Sequence, residues 1–192
     1  MTQKEPKRCE WCESSDLYRN YHDNEWGVPT TDDRKHFEFL VLESAQAGLS
    51  WITILKKREN YRKAYDGFDP VKVAKYSEKK IAALLADPGI VRNRLKITAS
   101  INNAKYFLAI VDEYGSFINY IKTFTGGKPV TGRWKTIAEI PASTELSDRI
   151  AADLKKRGFK FLGSVIMYSH MQATGIVNDH LTGCYRYREL KG

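Results

Sequence analysis

Residues of metal-binding type stand at the two extremes of this chain, and their placement constrains the fold more than any single run of sequence. Cys9 and His22 lie near the start, His180 and Cys184 near the end. On a helix or tight turn, the x3 spacing of His180 and Cys184 directs both side chains toward one point. A closed Cys2His2 set would complete a tetrahedron, exclude water from the ion and tie the two ends of the polypeptide together. Cys9-x2-Cys12 is itself a ligand pattern, so Cys12 competes with Cys9, and unrelated buried thiols would account for the same residues. A third reading leaves the metal open for hydrolysis, with His22, His180 and a cysteine as ligands and Glu25 or Asp23 as base.

Between those ends the apolar period is helical. Thr31-Asp32-Asp33 offers caps for a helix through Phe37, Leu40, Val41 and Ser44 to Gly48, and a second runs from Ser50 through Ile54 and Leu55 into Lys56-Lys57-Arg58. Asp69-Pro70 restarts the chain. A short helix with Ile81, Leu84 and Leu85 breaks at Asp87-Pro88-Gly89, and another follows with Ile97, Ile101, Ala104, Leu108 and Val111 on one face. Residues 125–145 are the most loop-like stretch. Leu146, Ile150 and Leu154 mark a helix that Gly158 can cap, and an apolar helix is expected over 161–175 through Val165, Tyr168 and Met171. No sustained strand alternation or repeat occurs, so an all-α fold is expected.

Three segments carry chemistry. Tyr21-His22-Asp23-Asn24-Glu25-Trp26-Gly27 crowds an imidazole, carboxylates and aromatics into a run that no apolar period explains. Glu43 lies beside the apolar face of its helix, where burial would raise its pKa unless a cation or donor compensates; the plainer reading is a surface glutamate. Gly48 then permits a sharp turn presenting Leu49 and Trp51. The hairpin around Gly89 can expose backbone N–H groups at a helix start, with Arg92, Arg94 and Lys96 adding charge for a phosphate, unless it is an ordinary α-hairpin with a solvated basic face. Lys155-Lys156-Arg157 with Lys160 suits a solvated helix end. The net charge of +8 favours a polyanion, nucleic acid or an anionic membrane surface, although solubility alone explains such a charge in many proteins. Trp11, Tyr18, Tyr21, Trp26 and Trp51 offer flat surfaces for base stacking, or an aromatic core cluster.

No apolar run reaches the roughly 18 residues of a membrane span, and Met1 to Arg8 has no hydrophobic signal core, so a cytoplasmic protein without membrane contact is expected. Three cysteines without a secretion signal suit reduced thiols or ligands better than disulfides. No feature suggests an oligomer, so a monomer is expected.

The segments Arg8-Cys9-x-Trp11, Tyr21 through Pro29, Leu42-Glu43 through Trp51, Lys56 through Tyr61, Lys156-Arg157-Gly158-Phe159-Lys160-Phe161 and Val177-Asn178-Asp179-His180 resemble, in order, the bacterial DNA-3-methyladenine glycosylase I family. The resemblance spans residues 8–184. It implies a helix-hairpin-helix glycosylase that flips 3-methyladenine out of double-stranded alkylated DNA and hydrolyses its N-glycosidic bond, leaving an abasic site and the free base. It further implies one structural Zn2+ on Cys9, His22, His180 and Cys184, and an aromatic pocket of Trp11, Tyr18, Trp26 and Trp51. Glu43 is similar to the carboxylate that reads the base, Tyr21 supplies a second hydrogen bond, and Leu49 after Gly48 resembles the wedge that fills the stack.

The implied organisation is a basic tail over 1–8 and one domain over 9–192, with a hairpin lobe over 31–125 and a zinc lobe from 9–30 and 145–188. Two departures stand out. Val91-Arg92 follows Ile90 where the common hairpin has a second glycine. Asp112 falls near the superfamily's catalytic aspartate, yet the glycosylase I pattern does without one, and Asp112 reads as a solvated helix-end carboxylate. With no pocket lysine to form a Schiff base, no strand-cleaving lyase step is expected. A DNA-binding module without catalysis remains the third functional class.

Overall fold

The structure is a computed structural model and describes residues 5–191. Its helices are α1 (Asp16–Asn24), α2 (Asp33–Gln46), α3 (Trp51–Ala64), α4 (Pro70–Val73), α5 (Glu78–Ala86), α6 (Arg94–Tyr114), α7 (Phe117–Thr125), α8 (Glu145–Lys156), α9 (Ser164–Ala173) and α10 (Tyr185–Glu189). Two short strands, β1 (Val130–Thr131) and β2 (Val177–Asn178), pair in parallel. The expected all-α architecture is therefore present, with this one bridge added.

The organising element is α2. Every residue from His36 to Ala45 is buried, so this helix has no solvent face over that stretch and runs through the centre of the packing. It packs against α3, α6, α7 and α9, and Phe37, Leu40, Ile54, Phe107, Ile121, Met167 and Met171 belong to the main core. Asp32 caps its start by accepting from Arg34 N–H at 2.9 Å. Its last carbonyls, on Ala45 and Ala47, accept from Lys96 Nζ at 2.9 and 2.7 Å. Lys96, expected to serve a phosphate, thus serves the C-terminal end of α2, where a cation is favoured.

The helix, hairpin, helix arrangement of α5 and α6 is present, but the hairpin's donors are largely engaged internally. Gly89 N–H donates to Asp87 Oδ1 at 2.7 Å, and Val91 N–H donates to the Tyr61 hydroxyl at 3.0 Å. Arg92 and Arg94 remain exposed, Arg94 near Glu78. Asp112 is exposed close to the end of α6, as its reading as a helix-end carboxylate requires.

Two expectations need correction. The run from Tyr21 is helical as far as Asn24, after which Glu25, Trp26 and Gly27 form a turn. Tyr18, Tyr21, His22 and Glu25 follow the helical period, written in aromatic and ionisable side chains instead of aliphatic ones. The helix expected over 161–175 begins only at Ser164, and Val165 is 56% exposed; its inward face is Met167, Tyr168, His170 and Met171. Of the tail expected over 1–8, residues 1–4 lie outside the described residues, while Lys7 O accepts from Tyr185 N–H and Arg8 grips Asp23.

Candidate functional site: a buried carboxyl in an aromatic cavity beside a metal-binding cluster

Cys9, His22, His180 and Cys184 converge with one ligand atom each, all within 4.8 Å of one another and all buried. The bonds around them fix the tautomers. His22 Nδ1 lies 2.8 Å from Asp23 Oδ1, which leaves Nε2 bare toward Cys184 Sγ at 3.4 Å. His180 Nε2 lies 3.1 Å from Trp26 O, which leaves Nδ1 bare toward both sulfurs, at 3.8 Å from Cys9 and 3.7 Å from Cys184. Hydrogen bonding from Cys9 holds the Cys184 thiol far below its ordinary pKa against the cost of burial, and His180 and His22 add to it.

Two sulfurs and two unprotonated ring nitrogens, each ring oriented by an outer partner, are the donor set of a closed metal site. Cys12 stays outside it: its Sγ donates to Cys9 O at 3.1 Å. The ambiguity between the two thiols is thereby resolved by geometry in favour of Cys9.

The cavity next to this cluster encloses about 160 Å³ and is lined by Trp11, Tyr18, Tyr21, Trp26, Glu43, Gln46, Trp51, Ser169 and Gln172. Trp11 bridges the two features, with ring centroids 5.4 Å from His22, 5.1 Å from Trp26 and 4.9 Å from Tyr18. Trp51, at the first position of α3, leans on Tyr21 at 5.7 Å and stacks on Phe39 at 6.2 Å. Its indole Nε1 is buried with no partner among the described residues.

Glu43 is 5% exposed, and burial alone pushes its carboxyl up to about 8, with no cation or donor to oppose the shift. Burial likewise pushes the Tyr21 phenol well above its ordinary value, and the Glu43 charge adds to it. A buried carboxyl left uncompensated inside an aromatic cage is poised for a ligand bearing positive charge and N–H donors. The other carboxylates of the region are compensated. Glu25 takes both arms of Arg58 at 2.6 Å and pairs with Lys35, Glu38 takes Arg58 and Arg62, and Asp23 takes Arg8. Glu25 and Asp23 therefore serve as structural partners.

Tyr21, Glu43 and the four aromatic residues singled out in the sequence line one cavity, together with Gln46, Ser169 and Gln172, which sequence reasoning passed over. Gln172 Nε2 donates to Asp179 Oδ2 at 2.9 Å, and Asp179 also accepts from Trp134 Nε1 at 2.7 Å and from the Tyr168 hydroxyl. That network ties the cavity wall on α9 to the residue preceding His180. Between the cavity residues Gln46 and Trp51 in the chain, Gly48 adopts φ +84°, and Leu49 after it is 42% exposed.

Comparison with known proteins gives a consistent result. A family model described as methyladenine glycosylase matches residues 11–187. The DNA-3-methyladenine glycosylase 1 of Escherichia coli (strain K12) is 51% identical over 181 residues, covering 94% of this chain and 97% of the relative. A crystal structure of a 3-methyladenine DNA glycosylase I matches with TM-score 0.90 and 51% identity, over 93% of this chain and 98% of the other. A structure of the Staphylococcus aureus 3-methyladenine DNA glycosylase I, described in terms of 3-methyladenine recognition, matches with TM-score 0.88 and 38% identity, over 93% and 95% of the two chains.

Proposed function

The chain belongs to the methyladenine glycosylase family, and on that footing we propose that it excises 3-methyladenine from alkylated duplex DNA by flipping the base into the aromatic cavity and hydrolysing its N-glycosidic bond. It is an N-glycosyl hydrolase, and the observation that carries the substrate assignment is the uncompensated Glu43 carboxyl within ring faces. While attached to the sugar, 3-methyladenine bears a positive charge. The ring quadrupoles attract it by about 1–2 kcal/mol, and an ionised Glu43 opposes the charge and accepts from the exocyclic amine. The cation supplies the partner that Glu43 lacks, so its arrival favours the ionised form of the carboxyl. Tyr21 contributes a second hydrogen bond from the same wall.

The charged base is a good leaving group that departs neutral, so holding it in place can supply much of the catalysis without a strong general acid. Leu49, raised on the Gly48 turn, fills the gap in the stack, and Arg92 and Arg94 with the hairpin at Gly89 lie against phosphates. Among the described residues none that lines the cavity carries an amine, in keeping with hydrolysis without a lyase step.

The metal we assign is one Zn2+ on Cys9, His22, His180 and Cys184, which suit it in donor type and number. Bound there, zinc would neutralise the thiolates and fasten the terminal segments. Four protein donors leave no position for a reactive water, which speaks against the hydrolytic-metal reading. The protein acts as a monomer in the cytoplasm.

The deciding experiment is incubation with methylated duplex DNA and identification of the freed bases. Wild type should release 3-methyladenine, while Glu43→Gln and Trp51→Ala, both folded, should lose that release by on the order of 10- to 100-fold. Normal release by both variants would remove the assigned pocket, and duplex binding with no base release by wild type would favour a non-catalytic module.

A further inference from the structure

Phe161 stands out from its surroundings in two independent ways. It is a non-glycine residue at φ +56°, a backbone region costly for an aromatic residue, and its side chain is 43% exposed. Its apolar neighbours behave oppositely: Phe159 and Leu162 are buried at 5% and 6%.

The loop is held in this shape by buried polar groups. Asn103, itself 3% exposed, clamps Lys160 from both sides, donating to Lys160 O at 2.8 Å and accepting from Lys160 N–H at 2.8 Å. Asn102 donates to Gly158 O at 2.8 Å, and Ser44 Oγ lies 3.4 Å from Phe161 O. The fold thus spends a buried asparagine to keep an aromatic ring in water on a strained backbone. The ring belongs to none of the buried clusters that form the core.

The position explains the arrangement. Ser44 immediately follows Glu43 in α2, and Lys96, next to the 65% exposed Leu95, holds the carbonyls of Ala45 and Ala47. Leu49, Leu95 and Phe161 are therefore three exposed apolar side chains anchored to the same end of α2, with Lys160, Arg92 and Arg94 exposed in their segments. Apolar points rising from a basic surface suit a duplex whose stacking is being opened.

We propose that Phe161 is a second intercalating side chain that stacks on the DNA bases exposed by extrusion of the lesion, acting alongside Leu49. This rests on the glycosylase reading above. The strained backbone serves to keep the ring raised before DNA arrives, which spares its ordering cost on binding.

The test uses Phe161→Asn and Phe161→Gly in the full chain, because both residues accept a left-handed backbone. Thermal stability should be equal to or above wild type, and binding of free 3-methyladenine should be unchanged. Single-turnover release from methylated duplex should fall on the order of tenfold, as expected for losing one base–aromatic stack, and 2-aminopurine placed opposite the lesion should brighten on binding less than or differently from wild type. If wild type releases 3-methyladenine and both variants match it in release and in the 2-aminopurine signal, Phe161 is no intercalator and only this inference falls. If wild type releases no base, the glycosylase reading falls with it.

Discussion

His22 Nδ1 and Asp23 Oδ1 lie 2.8 Å apart, so a carboxylate next door in sequence decides which nitrogen of the imidazole faces the cysteine pair. Arg8 holds that carboxylate in turn, at 2.9 Å.

Removing this outer partner should loosen the metal without removing a ligand. Asp23→Asn is expected to weaken zinc affinity about 10- to 100-fold in chelator competition, whereas Cys9→Ser should abolish tight binding and lower the melting temperature. Unchanged affinity in Asp23→Asn would mean that the ring orientation is fixed by packing alone.

Glu43 should make the free protein less stable in alkali. Its folded value of about 8 lies above the ordinary 4.5, so between those limits the native state holds the extra proton and stability falls as pH rises. Above pH 8 the cost is on the order of 3–5 kcal/mol. Glu43→Gln should therefore be more stable than wild type to denaturant at pH 8.5 and close to it at pH 4.5. Parallel stability profiles for the two proteins would show that the carboxyl is compensated in solution.

The buried pair of His36 and His170 predicts the opposite slope on the acid side. His36 Nδ1 lies 3.2 Å from His170 Nε2, His36 Nε2 lies 3.1 Å from Thr30 O, and His170 Nδ1 has no partner among the described residues. Burial lowers both, His36 to about 4 from 6.5. Their stabilisation is complete above the unfolded value and is lost as pH falls from 6.5 through 4, by roughly 3 kcal/mol for His36. Denaturant midpoints at pH 7 and pH 4.5 measure it, and His36→Gln should flatten the dependence.

Gly175 and Gly126 separate close approach from backbone strain. Both have positive φ, +71° and +65°, but a Cβ on Gly175 would sit 2.3 Å from Pro29 N, whereas around Gly126 there is open space. Gly126→Ala should cost about 1 kcal/mol, and Gly175→Ala several times that, because the contact is with backbone that has nowhere to go. Equal melting temperatures for the two variants would contradict the tight passage of the chain at Pro29.

What could be read from the residues follows from where ordinary rules apply. α2, α3 and α8 emerge over the stretches where they are expected, and side chains cap the starts of α2, at Asp32, and of α8, at Thr144. α1 was hidden because its inward positions are Tyr21 and His22, chosen for the cavity and the metal cluster. Gln46 lies three residues beyond Glu43 and Gln172 three beyond Ser169, so helical spacing would have placed each pair on one face. Their polar character in apolar helices was the available signal. The His36–His170 contact joins residues 134 apart in sequence and leaves no local trace. The hairpin offers fewer free donors than a linear reading counts, because Asp87 and Tyr61 engage the N–H groups of Gly89 and Val91.

The meeting of Cys9 and Cys184 also has a mechanical meaning. Tension applied at the two ends would fall first on the cluster that joins them, and the helices between would stay slack until it gave way. Drawn through a narrow pore from either end with an ion bound, the chain would meet this cross-link at the outset, so resistance to forced unravelling should rise with metal occupancy.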